Sequence, residues 1–181
     1  MSENKDKKSF DISEFMGGTS GKTVLVIAIV IAVLSVCYAG FDTYKIVNEE
    51  QRKASINLDE NGVYNSKEDV AAYVYKYDHL PDNYMTKQEA EAIGWIGGSV
   101  SAVAPGMSIG GDRFYVEYAE NQDIARAEGR YYTECDVDTD NKEDRGAERL
   151  VFSNDGLVYY TSDHYHTVEL QYGEEVLSEF E

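Results

Sequence analysis

Between Lys22 and Asp42 the chain carries 19 consecutive residues without a charge, TVLVIAIVIAVLSVCYAGF. At about 1.5 Å of rise per helical residue, such a run roughly spans the hydrocarbon layer of a bilayer. A removable signal peptide has an apolar region of about 7 to 15 residues. This run is longer and follows a lead of 22 residues, which predicts an uncleaved anchor. The alternative is cleavage near Cys37-Tyr38-Ala39, where Ala39 and Gly40 are small, giving a secreted product. Lys5, Lys7, Lys8 and Lys22 precede the run, whereas Asp42, Lys45, Glu49 and Glu50 follow it. This bias predicts a cytoplasmic N-terminus and an extracytoplasmic remainder.

The 140 residues beyond position 41 suit one globular domain plus a stalk. The chain has two cysteines. Cys37 lies in the apolar run and Cys135 has no partner outside it, so no intrachain disulfide is expected. Cys135 reads as a small apolar core residue on a strand. With 34 acidic against 16 basic residues, the formal net charge is −18, which predicts weak long-range attraction to polyanions.

Residues 43–65 are polar without a sustained apolar period and read as a stalk, with a short helix at most at its start. Ser66 followed by Asp69 is an N-cap pattern, and Val70, Tyr73, Val74 and Tyr77 recur on one helical face. This predicts a helix ending near Leu80-Pro81. Thr86 with Glu89 repeats the capping box and predicts a short second helix through Ile93, closed by Gly94. Beyond Trp95 glycine-rich turns alternate with Tyr-, Val- and Leu-rich runs, predicting strands near 113–118, 130–137, 149–153, 157–161 and 165–171. The expected class is α+β, with N-terminal helices packed on one face of an antiparallel sheet and a single transmembrane helix ahead of them.

Four stretches, LPDNYMTKQEAEAIGW (80–95), VAPGMSIGGDRF (103–114), GRYYTECDVD (129–138) and RGAERLVFSNDGLVYYTSDHYHT (145–167), resemble the barnase-type bacterial ribonucleases in order and near-equal spacing. The resemblance runs from about Val70 to Thr167. It implies cleavage of single-stranded RNA by transesterification through a 2′,3′-cyclic phosphate, with no metal or other cofactor. It places the general base at Glu134 and the general acid at His164. Phosphate-binding cations fall at Lys87, Arg145 and Arg149, and the family's active-site tyrosine at Tyr165. The residue types fit that chemistry: one group must take the proton of a 2′-hydroxyl, another must protonate the departing oxygen, and cations must meet the charge that gathers on phosphorus. Taken singly, Glu134 also reads as a solvated strand acid, His164 as a surface histidine, and the arginines as partners for Asp136, Asp144 or Glu148.

Two departures from the family pattern stand out. The segment before Arg145 is one residue longer than usual. After IGGDRF the family's guanine-recognition loop is replaced by Tyr115, Val116, Glu117, Tyr118 and Ala119. If the loop slips by one residue Glu117 meets a base edge, and Tyr115 and Tyr118 read either as stacking partners of a base or as residues of an ordinary strand face; relaxed guanine specificity is expected. Asp136, Asp138 and Asp140 alternate like a calcium loop, but Asn141 and Ala147 occupy the positions where an EF-hand needs glycine and glutamate, so no metal site is assigned.

The resulting organisation is a cytoplasmic segment (1–22), an anchor or long signal (23–41), a stalk (42–65), a ribonuclease-like domain (66–171) and an acidic tail (172–181). Expected partners are RNA, the membrane through the apolar run, and a small acidic inhibitor resembling barstar; the outer domain is expected to be monomeric. The rival reading is a catalytically degenerate domain that keeps the fold and binds partners at the cell surface.

Overall fold

The computed structural model describes residues 21–118, 123–140 and 142–173; the side chains of 21–25 and 118 are also outside the description. The lysines expected at the cytoplasmic end before Lys22, Ala119 and the acidic tail beyond Gly173 therefore lie outside the described residues.

The chain divides into two units, Met1–Gln51 and Arg52–Glu181. The first contains most of helix α1 (Gly21–Ser55). From Val26 onward this helix is apolar and long enough to cross a membrane or to act as a signal sequence. It runs further than the apolar stretch, so the first part of the segment read as a stalk is helical. The remainder of that segment is tied to the second unit. Lys76 Nζ donates to the carbonyls of Ile56 and Leu58 at 2.9 and 3.0 Å, and the Tyr73 hydroxyl donates to Glu60 O at 2.7 Å.

In the second unit, helix α2 (Lys67–Tyr77) starts at the cap expected of it. Ser66 Oγ accepts from Asp69 N and donates to Asp69 Oδ2. The helix ends before Leu80-Pro81 because Asp78 turns left-handed, φ 61°, and returns its N–H to Val74 O at 2.8 Å. Helix α3 (Lys87–Ala92) starts at the predicted Thr86–Glu89 capping box.

Six strands follow in sheet order β1 to β6: Tyr84–Met85, Ser108–Phe114, Tyr132–Asp136, Arg149–Ser153, Val158–Thr161 and Glu169–Tyr172. The α+β class with an antiparallel meander is as expected, with one addition: the short β1 pairs parallel with β2 at the sheet edge. Strand β2 occupies 108–114, not 113–118, so the glycines read as a turn lie inside it. A Cβ at Gly110 would stand 2.6 Å from Cys135 Cβ, and Gly111, φ +97°, forms a bulge opposite β3. The last strand starts at Glu169 instead of 165, because His164 and Tyr165 both adopt positive φ, 57° and 71°.

Period-two alternation decides which side chains meet. Cys135, Leu150, Phe152 and Val158 face helix α2, where Val70, Ala71, Val74 and Tyr75 complete a buried cluster. Cys135 is thus the core residue its context suggested. The opposite face carries Tyr132, Val151 and Tyr159 in a second cluster with Phe114, Ile124 and Leu157. Glu134 and Asp136 of β3, and Arg149 of β4, share this second face.

Candidate active site

Strand register brings the first charges together. Glu134 lies opposite Asp112 on β2, and Asp136 opposite Arg149 on β4. Asp136 is buried, with 2% of its side chain exposed, and holds two guanidinium groups. Arg145 grips it in a fork, Nε to Oδ2 at 2.6 Å and Nη2 to Oδ1 at 2.7 Å, while Arg149 Nε lies 2.9 Å from Oδ1. Two cations on one carboxylate leave a net positive charge without an uncompensated buried acid. Arg149 also donates through Nη1 to the carbonyls of Arg145 and Glu148, and its Nη2 lies 3.5 Å from His164 Nε2. The arginines are therefore partners of Asp136, as a purely structural reading required, and both also line the cleft.

Glu134 is clamped from two sides. Lys87, the first residue of α3, sets its Nζ 2.5 Å from Oε1, and the Tyr165 hydroxyl donates to Oε2. Lys87 is positioned in turn by Asp112, whose Oδ2 accepts the Lys87 backbone N–H at 3.0 Å. Burial pushes the Glu134 carboxyl up, but the Lys87 and Tyr165 hydrogen bonds and the charges of Lys87 and Arg145 outweigh it, leaving the pKa lowered. Burial, and then the Glu134 charge, raise the Tyr165 pKa, so this phenol stays protonated and donates.

His164 and Tyr165 project from a turn after β5 in which both residues are left-handed, a conformation costing about 1–3 kcal/mol each and requiring external support. The support is local. Asp163 accepts from Thr161 Oγ1, Thr167 N and Thr167 Oγ1 at 2.9, 2.8 and 2.7 Å. Those bonds to Thr167, backbone first, bring the Asp163 pKa to about 2. Thr161 Oγ1 accepts the Tyr165 N–H, and Ala147 O accepts that of His164. The His164 pKa is lowered, first by burial and then by the charges of Arg149 and Arg145.

A cleft of about 380 Å³ gathers Lys87, Glu134, Arg145, Arg149, His164 and Tyr165, joined by Arg113 and Tyr115. All six residues assigned by sequence to proton transfer and phosphate contact thus line one cavity. The extra residue before Arg145 does not keep it from Asp136. Of the three residues assigned to the base, Tyr115 lines both this cleft and an adjoining cavity of about 300 Å³, and Glu117 lines only the latter. The Tyr118 side chain lies outside the described residues. Sequence reasoning named Asp136 as one of three arginine partners and as part of a calcium-loop-like alternation, and passed over Asp112, Arg113 and Asp163. The signal for Asp136 was its position two residues beyond Glu134, on the same strand face.

The ribonuclease family profile matches residues 67–170, well over half of the chain. The chain belongs to the barnase-type bacterial ribonucleases. It is 42% identical over 122 residues to a ribonuclease of Bacillus pumilus, covering 64% of this chain and 73% of that protein. It is 44% identical over 107 residues to a ribonuclease of Heyndrickxia coagulans, covering 58% of this chain and 94% of that protein. A ribonuclease of Bacillus intermedius is also 44% identical over 107 residues, 58% of this chain and 64% of the relative. Membership of this family makes the chain an endoribonuclease.

Proposed function

We propose that the chain cuts single-stranded RNA by metal-independent transesterification, with Glu134 as general base and His164 as general acid. The observation that carries this reading is the cleft that gathers a carboxylate clamped by Lys87 and Tyr165, an imidazole and a set of cations. Glu134 takes the proton of a 2′-hydroxyl, whose oxygen attacks the adjacent phosphorus. The new bond from O2′ to phosphorus forms as the bond to O5′ breaks, and His164 delivers its proton to that departing oxygen. The products are a 2′,3′-cyclic phosphate and a 5′-hydroxyl, and the two residues exchange roles when water opens the cyclic ester. Both oxygens of Glu134 already accept a hydrogen bond, but a carboxylate has about four lone-pair sites, so capacity remains for the substrate.

Lys87, Arg145 and Arg149 meet the charge developing on the phosphoryl oxygens. Asp136 fixes the direction of both arginines before substrate arrives, so little reorganisation is needed during the reaction. The same arginines disfavour the protonated His164 in the free enzyme. A bound phosphate offsets their charge and raises the proton affinity of His164 when its proton is needed. Tyr115 and Glu117 flank the base, and their departure from the family loop supports relaxed guanine specificity. Helix α1 supports extracytoplasmic placement, through an anchor or through export after cleavage.

The test is cleavage by wild type, Glu134→Gln and His164→Ala chains in EDTA. Cyclic phosphate from wild type, reduced by about 10² to 10⁴ in either variant, supports the assignment. Equal rates in all three would refute it.

A further inference from the structure

The cavity of about 300 Å³ beside the catalytic cleft shares Arg113 and Tyr115 with it, and Glu117 and Arg126 also line it. Its charge is unusual for a chain of net charge −18. Among the described residues, neither Arg113 nor Arg126 has a carboxylate partner; Arg113 instead stands over the Tyr131 ring, its Cζ 4.4 Å from the ring centre. Arg130, by contrast, is spent on structure, with its Nε 2.9 Å from both oxygens of Asp155.

The segment carrying Arg126 is firmly placed although Arg126 itself is exposed. Ile124 is buried at 2% exposure. Ala125 gives its N–H to the Tyr159 hydroxyl at 3.2 Å, and its carbonyl accepts from the Tyr132 hydroxyl at 2.5 Å. A guanidinium on an anchored backbone, without an acid of its own, in the same cavity as a second one held over an aromatic ring, is suited to an oxyanion that reaches it from the cleft.

We propose that Arg113 and Arg126 form a subsite for a second phosphodiester, the one on the 5′ side of the nucleotide that supplies the attacking 2′-hydroxyl. The inference rests on the ribonuclease reading for the position of that nucleotide, whose base lies along Tyr115 and Glu117. The chemistry of the subsite depends only on the arginines. It turns a chain that repels RNA at long range into one that prefers an internal position in a strand over the end of a dinucleotide.

The full-length chain is assayed on NpA and on the trinucleotide with a 2′-deoxynucleotide placed upstream, so that one bond alone can be cut in each. The upstream phosphodiester is expected to raise kcat/KM about tenfold, the scale of one charged hydrogen bond. The ratio falls close to one in Arg126→Ala and is partly kept in Arg126→Lys. Arg126 is the diagnostic position, because Arg113 also borders the catalytic cleft. A ratio of one in wild type, or an unchanged ratio in Arg126→Ala, overturns the proposal.

Binding separates this result from failure of the ribonuclease reading. With fully 2′-deoxy versions of both ligands, which cannot be cut, anisotropy should show about tenfold tighter binding of the longer one to wild type and none of that gain in Arg126→Ala. Equal affinities in wild type overturn the subsite whether or not the chain cleaves RNA.

Discussion

The catalytic cleft and the base-side cavity adjoin each other and are built on opposite plans. In the cleft, charged groups are held by others: Asp136 by Arg145 and Arg149, Glu134 by Lys87 and Tyr165, Lys87 by Asp112. Asp112, Glu134, Asp136 and Arg149 sit on paired strands and Lys87 at a helix start, while Arg145 and Tyr165 come from loops and are fixed by the carboxylates they meet. In the adjoining cavity Arg113, Phe114 and Tyr132 come from strands, whereas Tyr115, Glu117 and Arg126 lie outside them, and Tyr115 is 54% exposed. The lesson is that proton transfer tolerates little displacement of its groups, whereas stacking and phosphate contact can be rebuilt from different residues.

The largest effects are therefore expected in the cleft. Replacing Glu134 by Gln or His164 by Ala should lower kcat/KM by about 10² to 10⁴ without a comparable loss of folding stability, as measured by single-turnover kinetics beside thermal melting. Asp136→Ala should cost both. Two guanidinium groups lose their shared acid, and breaking such a buried ion cluster costs about 3–5 kcal/mol, measurable by urea titration of the wild-type and variant chains. If Asp136→Ala melted like wild type, the contrast between a clamped cleft and a freely rebuilt neighbour would fail.

Smaller effects concern proton affinity. Glu134 must be ionised and its pKa is lowered, so activity is present above that pKa and is lost as pH falls through it. His164 must be protonated and its pKa is also lowered, so activity is lost as pH rises through it. The kcat/KM profile should be a bell displaced to the acid side of the range set by free side chains, about 4.3 to 6.5. Lys87→Ala should move the acid limb upward by removing a hydrogen bond and a charge from Glu134. Arg149→Ala should move the basic limb upward by removing a cation beside His164. The basic limb of kcat should lie above that of kcat/KM, because bound phosphate offsets the arginines. The smallest effect belongs to the other region. Tyr115→Ala should lower kcat/KM for all four NpA substrates by about fivefold, since stacking worth about 1 kcal/mol is indifferent to base identity.

What was legible in the sequence follows the same division. Capping boxes, alternation and glycine-rich turns located the helices and the central strands, because these signals are local. The candidate site residues were read from motifs that resemble the family's, and six of them line one cleft. Boundaries failed where a distant group intervened. The Gly110-Gly111 pair reads as a turn in isolation, yet it lies within a strand because Cys135 approaches too closely for a side chain. His164 and Tyr165 read as the start of a strand, yet Asp163 and Thr161 bend them into a left-handed turn. Arg126 carried no local signal, since its place beside the cleft depends on tyrosine hydroxyls 7 and 34 residues from Ala125.

The central claim, metal-free cleavage through Glu134 and His164, is tested most directly by one assay. The full-length chain in detergent is incubated with NpA dinucleotides of all four bases in EDTA, beside His164→Ala, and the products are separated by chromatography. The account predicts a 2′,3′-cyclic phosphate from wild type on every base, with His164→Ala slower by about 10² or more. Folded wild type that yields no cyclic phosphate, or a His164→Ala chain that yields it at the wild-type rate, would contradict it.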